Sequence, residues 1–245
     1  NLCAIRKNSN TGSIAPPFPL FFFSRHTLIP PLIDAHVHLC MSGVADPAVR
    51  KRQLDAEFDE LRPTIFRHMT DLKTCGIIAV RDGGDYGGHA LRFRNELDPG
   101  FPVRLRSPGK AWRRDGRYGR LIGRPVPAGI SLEAAIRFQS DHIDHVKLVN
   151  SGINSLTTVG CPTRPQFSFD ELSAGIRAAH DSGLPVMVHC NGERPVMEAV
   201  KSGCDSVEHG FFMNEKTLSR IAEAGAVWVP TAYTMRAYAD HLPSG

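Results

Sequence analysis

Long apolar runs are missing from these 245 residues: none approaches the roughly 20 that a membrane-spanning helix needs, so no segment reads as one. Paired cysteines are missing too. Cys3, Cys40, Cys75, Cys161, Cys190 and Cys204 form no C-x-x-C pair and keep no regular spacing, and several sit in apolar runs. That excludes an evident disulfide framework and favours reduced thiols in a cytosolic protein. Arg6 and Lys7 ahead of Ile14–Phe23 have the layout of a secretory leader, but Pro16, Pro17 and Pro19 interrupt it and no small-residue cleavage site follows. The expected location is therefore the cytoplasm. Concentrated positive charge is scarce as well. The net charge of +4 is spread along the chain, and a local cluster, Arg113, Arg114, Arg117, Arg120 and Arg124, lies in a Gly-rich stretch with no recognisable binding module. Neither nucleic acid nor a membrane is an expected partner; a small-molecule substrate is, and a homo-oligomer remains open.

What the chain does have is enough apolar residue, 42% against 22% charged, for one substantial core, which a single α/β barrel would fill. From Leu32 onward short β-branched runs alternate with segments of helical period, the order expected of parallel strands joined by helices. Seven strands are expected: Leu32–Leu39, Ile77–Arg81, Val103–Arg106, His145–Val149, Val186–Cys190, Ser206–His209 and Val227–Pro230. Between them, Leu54–Leu72, Leu132–Phe138, Phe169–His180, Pro195–Lys201 and Glu215–Ala224 carry apolar residues at three- and four-residue steps. Ser168 or Asp170 can cap the helix before Leu172, and Gly183, Gly203 and Gly225 stand where helices end. Residues 1–27 show no clear period and read as an irregular arm, with the catalytic domain over 28–245. Ser107–Ile130, rich in Gly, Arg and Pro, reads as a long loop at the barrel mouth.

The strongest local signal is Asp34-Ala35-His36-Val37-His38 at the end of an apolar strand, since residues two apart on a strand share a face and can bind one cation together. Lys147, His189 and His209 occupy the C-terminal ends of later strands, and in a parallel barrel those ends converge. Any one of these histidines alone is more often a hydrogen-bonded core residue. Together they are not readily a coincidence. Pro31–His38 resembles the first-strand signature of the amidohydrolase superfamily, and Val207-Glu208-His209-Gly210 resembles its sixth-strand signature in the imidazolonepropionase-like and dipeptidase-like branch. The likeness runs from about Thr27 to Thr231. The family usually has Pro-Gly before the first strand, where this chain has Pro30-Pro31.

The resemblance implies a TIM-like (β/α) barrel and a hydrolase of C–N bonds (a non-peptide amide, a cyclic amide or a dipeptide-like bond) that uses a metal-activated hydroxide. It implies two divalent ions, zinc first among them. His36 and His38 would hold the first, His189 and His209 the second, and Lys147 would bridge both as a carbamate, because an ammonium would repel two cations. Asp82, after the second strand, resembles a position near the site that orients a ligand or loop; beside Gly83 and Gly84 it is equally a turn-former. Tyr118 and Arg117 could bind a substrate carboxylate, or belong to a solvated charge run. Asn191 stands at the substrate-facing place where the dipeptidase branch commonly has tyrosine. One alternative is a mononuclear deaminase with Glu193 as proton shuttle, although Glu193 lies one residue further from His189 than that pattern expects. Another is a catalytically incomplete fragment, with about seven of eight strands and no Asp at the end of an eighth.

Overall fold

The computed structural model describes residues 27–239 other than 28, 45, 140 and 153–162. Residues 1–26, expected as an irregular arm, lie outside these. The chain divides at Pro30, and the compact unit from Pro31 onward carries every candidate site residue.

In chain order the elements are β1 (Leu32–Val37), α1 (Pro47–Asp55), α2 (Phe58–Thr74), β2 (Ile77–Asp82), α3 (His89–Glu96), β3 (Arg104–Arg106), β4 (Ala111–Arg113) and β5 (Gly123–Pro125). They continue with α4 (Leu132–Arg137), β6 (Val146–Val149), α5 (Phe169–Asp181), β7 (Val186–Cys190), α6 (Glu193–Lys201), β8 (Ser206–His209), α7 (Glu215–Glu223), β9 (Val227–Val229) and α8 (Ala232–Ala239). The seven expected strands are all present. The periodicity also finds its reasons in space. In α5, Leu172, Ile176 and Ala179 are buried at helical steps, Ser168 and Glu171 close a reciprocal capping box, and Gly183 follows with φ of 72°.

Every strand pairing is parallel. One sheet runs β1-β2-β3 and the other β5-β4-β6-β7-β8-β9, with no closed ring among the described residues. Helices bury the outer face of the larger sheet, where Trp112, Val146, Leu148, Val186, Val188 and Val207 form one cluster with residues of α4–α7. The other face of β4 and β6 carries Ala111 and Val149, and therefore Arg113 and Lys147, which stand two residues away from them. Side chains join the two sheets. Arg81 on β2 donates to Ser206 Oγ at 3.0 Å and to Glu208 Oε1 at 2.9 Å, both on β8, and His145 Nε2 donates to the Asp82 carbonyl at 3.1 Å.

Three features differ from the sequence expectation. Leu54–Leu72 is two helices, with Ala56 and Glu57 extended between them. The Ser107–Ile130 loop contains β4 and β5, which pair with each other over three residues and join the larger sheet where Trp112 meets Leu148 of β6; neither carries a local signal. Helix α3 has no strong apolar period; its first amides, His89 N and Ala90 N, are satisfied by Asp85, which lies four and five residues earlier.

Candidate metal centre

Parallel register aligns the strand ends: Val149 pairs with His189, and Cys190 with His209. The imidazoles meet in a row. Ring centroids lie 5.2 Å apart for His38 and His36, 4.8 Å for His36 and His209, and 4.6 Å for His209 and His189. His38 packs against β2 closely enough that a Cβ on Gly83 would fall 2.6 Å from its ring. Lys147, 1% exposed, stands on β6 two residues before Val149, the register partner of His189, and its charge acts on His36, His38 and His189.

The second residue layer orients these rings. His36 Nδ1 donates to Glu208 Oε2 at 2.6 Å, His38 Nδ1 donates to the Gly84 carbonyl at 2.8 Å, and His209 Nδ1 lies 2.7 Å from Thr231 Oγ1. Each leaves Nε2 as the nitrogen without a hydrogen bond among the described residues. His189 Nε2 is buried with no partner, and so is Lys147 Nζ. Strand alternation would send Glu208 and His209 to opposite faces. His209, however, has φ of 67°, held by Trp228 Nε1 donating to its carbonyl at 2.9 Å, and this turn brings both residues to His36.

Glu208 is fully buried and also accepts from Arg81 and from Ser206 Oγ, so it is the hub of the cluster, although its sequence position carried no sign of this beyond the signature it belongs to. Replacing it by Gln keeps the shape but removes the charge that holds His36 and Arg81. We expect Glu208→Gln to cost roughly 1–3 kcal/mol in thermal or urea unfolding and about tenfold in divalent-ion affinity by calorimetry. Unchanged values in both would remove Glu208 from the site.

Burial lowers the histidine pKa values, and nearby Lys147 adds to it: His38 falls to about 4 and His189 to about 3, with His36 and His209 also well down. Near neutral pH all four are free bases, the form that ligates metals. Burial likewise lowers Lys147 to about 8. Among the described residues the rings pack on one another, and no set of three or more His, Cys, Asp or Glu side chains is already arranged around a metal position.

The other expected residues fall as follows. Asp82 accepts from Leu39 N at 3.0 Å and Gly84 N at 2.8 Å, tying the end of β1 to the turn after β2. Tyr118 lies over the site, its ring 5.2 Å from His189, and Gln166 holds its carbonyl at 2.9 Å. Arg117 is exposed and donates to the Arg164 carbonyl at 2.7 Å. Asn191, 2% exposed, accepts from Phe211 N at 3.0 Å and spans the turns after β7 and β8. Glu193 is exposed at the start of α6.

Three similarities to known proteins bear on this arrangement. An uncharacterized protein of Mycobacterium tuberculosis is 27% identical over 206 residues, 83% of this chain and 50% of that protein. Ochratoxinase of Aspergillus niger is 33% identical over 126 residues, 47% of this chain and 26% of the enzyme. Among solved structures, a Xaa-Pro dipeptidase with methionine bound in its active site is 26% identical, with a TM-score of 0.69 over 86% of this chain and 55% of its own. The chain thus spans about half the length, or less, of the relatives it matches. No protein-family model matches it.

Proposed function

Because the chain is amidohydrolase-like in sequence and in fold, we propose that it is a metal-dependent hydrolase of C–N bonds whose two sheets are arcs of one TIM-like (β/α) barrel. The observation that carries this reading is the pairing of buried, partnerless Lys147 Nζ and His189 Nε2 with three further histidines whose Nδ1 atoms are already engaged. A buried amine and imidazole without partners are costly, and a cation site would relieve both.

In this reading His36 and His38 would hold one divalent ion and His189 and His209 a second, and Lys147, as a carbamate, would supply an anionic ligand to the centre. Carboxylation of the unprotonated Nζ would form an N–C bond as one C=O π bond of carbon dioxide opens and one N–H proton passes to solvent, leaving an anionic group with two oxygens. Bound divalent ions lower the pKa of water toward neutrality and polarise a carbonyl oxygen. The chain's own residues prepare that chemistry: Glu208, Gly84 and Thr231 fix the ring orientations, burial keeps the imidazoles neutral, and Tyr118 covers His189 on the substrate side. Zinc suits the nitrogen-rich donor set. Acyl-amino acids, lactams and dipeptide-like amides form the candidate substrate class. The exposed position of Glu193 offers the deaminase alternative no support.

Metal analysis of the purified protein tests this. Two equivalents of zinc per chain are expected, with hydrolysis across an acyl-amino-acid and lactam panel and loss of both after chelation. A single ion with all four histidines intact, or turnover that survives complete metal removal, would overturn the binuclear reading.

A further inference from the structure

Five arginines crowd residues 113–124, and the structure separates them by what they already hold. Arg114 makes a two-point contact with Glu171 at 2.7 and 2.8 Å, Arg117 donates to the Arg164 carbonyl, and Arg124 lies over the Trp112 ring at 4.1 Å. Arg120 is exposed. Arg113 differs from all of these. It alone of the five is buried, at 7% exposure, and its Nε, like that of half-buried Arg124, has no hydrogen-bond partner among the described residues. Its Nη1 reaches the Arg114 carbonyl at 3.2 Å, while the carboxylate nearest to it, on Asp115, is 3.7 Å away on an exposed side chain. That distance exceeds a hydrogen bond, and solvent screens such a pair.

The direction of Arg113 follows from the sheet. Trp112 points to the helical layer, so Ala111 and Arg113 face the other way, the face that Lys147 and Val149 share on the adjoining strand β6. The loop confirms the placement. A Cβ on Gly119 would lie 3.4 Å from Arg113 Cδ and 3.1 Å from Val149 Cγ2, and the neighbouring Tyr118 ring rests on His189. Gln166 holds the backbone at both ends of this stretch, accepting from Arg114 N at 2.9 Å and donating to the Tyr118 carbonyl at 2.9 Å. Beside β5, a groove of about 710 Å³ that does not include the histidines is lined by Arg50, Lys51, Arg120 and Arg124 against the single acid Asp55; it also includes Pro125, the register partner of Arg113.

We infer that Arg113 is an anion-recognition residue of this site, and that the substrate is an amide bearing a free carboxylate, which the unfilled Nε edge of the guanidinium binds beside Tyr118. Burying a guanidinium with a donor unfilled is unfavourable unless a ligand completes it, and a planar carboxylate matches that edge with two parallel N–H groups. The basic groove adds attraction for an anionic ligand at longer range. This inference rests on the hydrolase reading for the word substrate, but its test is of binding.

Equilibrium binding decides it. A panel of N-benzoyl amino acids, each paired with its neutral carboxamide, is titrated into the wild-type protein, Arg113→Met and Arg113→Lys. The wild type is expected to bind at least one acid about 30-fold or more tightly than its carboxamide, the preference to disappear in Arg113→Met, and Arg113→Lys to recover part of it. Zinc content and circular dichroism, measured on the same samples, should not change. Equal affinity for acid and carboxamide in the wild type, absence of binding across the panel, or a preference that survives in Arg113→Met would overturn the inference. Failure of the hydrolase reading looks different: acid preference persists while zinc or turnover is absent.

Discussion

Lys147→Met is expected to make the metal-free protein more stable by about 3 kcal/mol and the metal-loaded protein inactive. Burial lowers Lys147 from its ordinary 10.5 to about 8, so below pH 8 the native state carries an ammonium that the unfolded chain solvates more favourably. The cost is complete below the folded value and fades as pH rises toward the unfolded one. The advantage of the methionine variant should accordingly shrink between pH 8 and 10.5. Replacing a buried, unpaired charge with an apolar side chain of similar reach is commonly stabilising. With metal present the effect reverses, because the proposed anionic ligand is lost: zinc content should fall below two per chain, and hydrolysis by more than the 10- to 100-fold typical of an outer-shell change. Urea unfolding with and without chelator, alongside metal analysis, reads both halves. A variant that is less stable without metal, or keeps a full metal complement, would contradict the role given to Lys147.

Acid should unfold the metal-free protein over a narrow range. Five buried histidines have lowered values: His38 at about 4, His145 and His189 at about 3, and His36 and His209 in the same direction. Between the unfolded value of 6.5 and these folded values, the unfolded chain takes up protons that the native state refuses, so stability falls as pH falls. Asp82 acts in the opposite sense. Burial and neighbouring Asp85 raise it to about 7, and the native state then holds a proton that the unfolded carboxylate releases above 3.8. Five groups against one leave a net uptake of about four protons, or up to roughly 5 kcal/mol per pH unit at the steepest point. Since domains are typically stable by only about 5–15 kcal/mol, unfolding should be complete within about two units below pH 6.5. Thermal melts at stepped pH measure the slope, His145→Phe should flatten it, and zinc should move the transition to lower pH. A melting temperature that stays level from pH 7 to 5 would mean that these rings are not buried as free bases.

The strand ends were legible because chemistry and periodicity coincide there: Val186–Cys190 is a fully buried apolar run interrupted only by His189, and Ser206–His209 ends at its own ligand candidate. Ser168 and Gly183 announced the limits of α5 through capping and a left-handed residue, both local effects. What escaped was set by distant contacts. Strand β4 is sheet because it pairs with β5 at three positions and meets β6 at Trp112 and Leu148, and the run Ala-Trp-Arg gives no hint of it. Glu208 escaped because the alternation rule turns it away from His209, and nothing in Glu-His-Gly shows that the histidine will take a positive φ. Among the arginines the sequence offered Arg117 by its nearness to Tyr118. Arg113 differs from it in burial, and burial is a tertiary property.

The side chains that join the two sheets also bear on the order of assembly. Strands β1 to β3 pair with near neighbours in sequence, as do β4 to β9, whereas His36 and Arg81 reach Glu208 across 172 and 127 residues. Closing loops of that length costs chain entropy before any contact returns it, so each half can gather locally well ahead of the junction. The groups that meet at that junction are those of the candidate centre, so its assembly is expected to follow that of either half. A nascent chain would therefore pass through a stage with two formed halves and unassembled ligands, and a cation arriving then would act on the pace of maturation as well as on the finished protein.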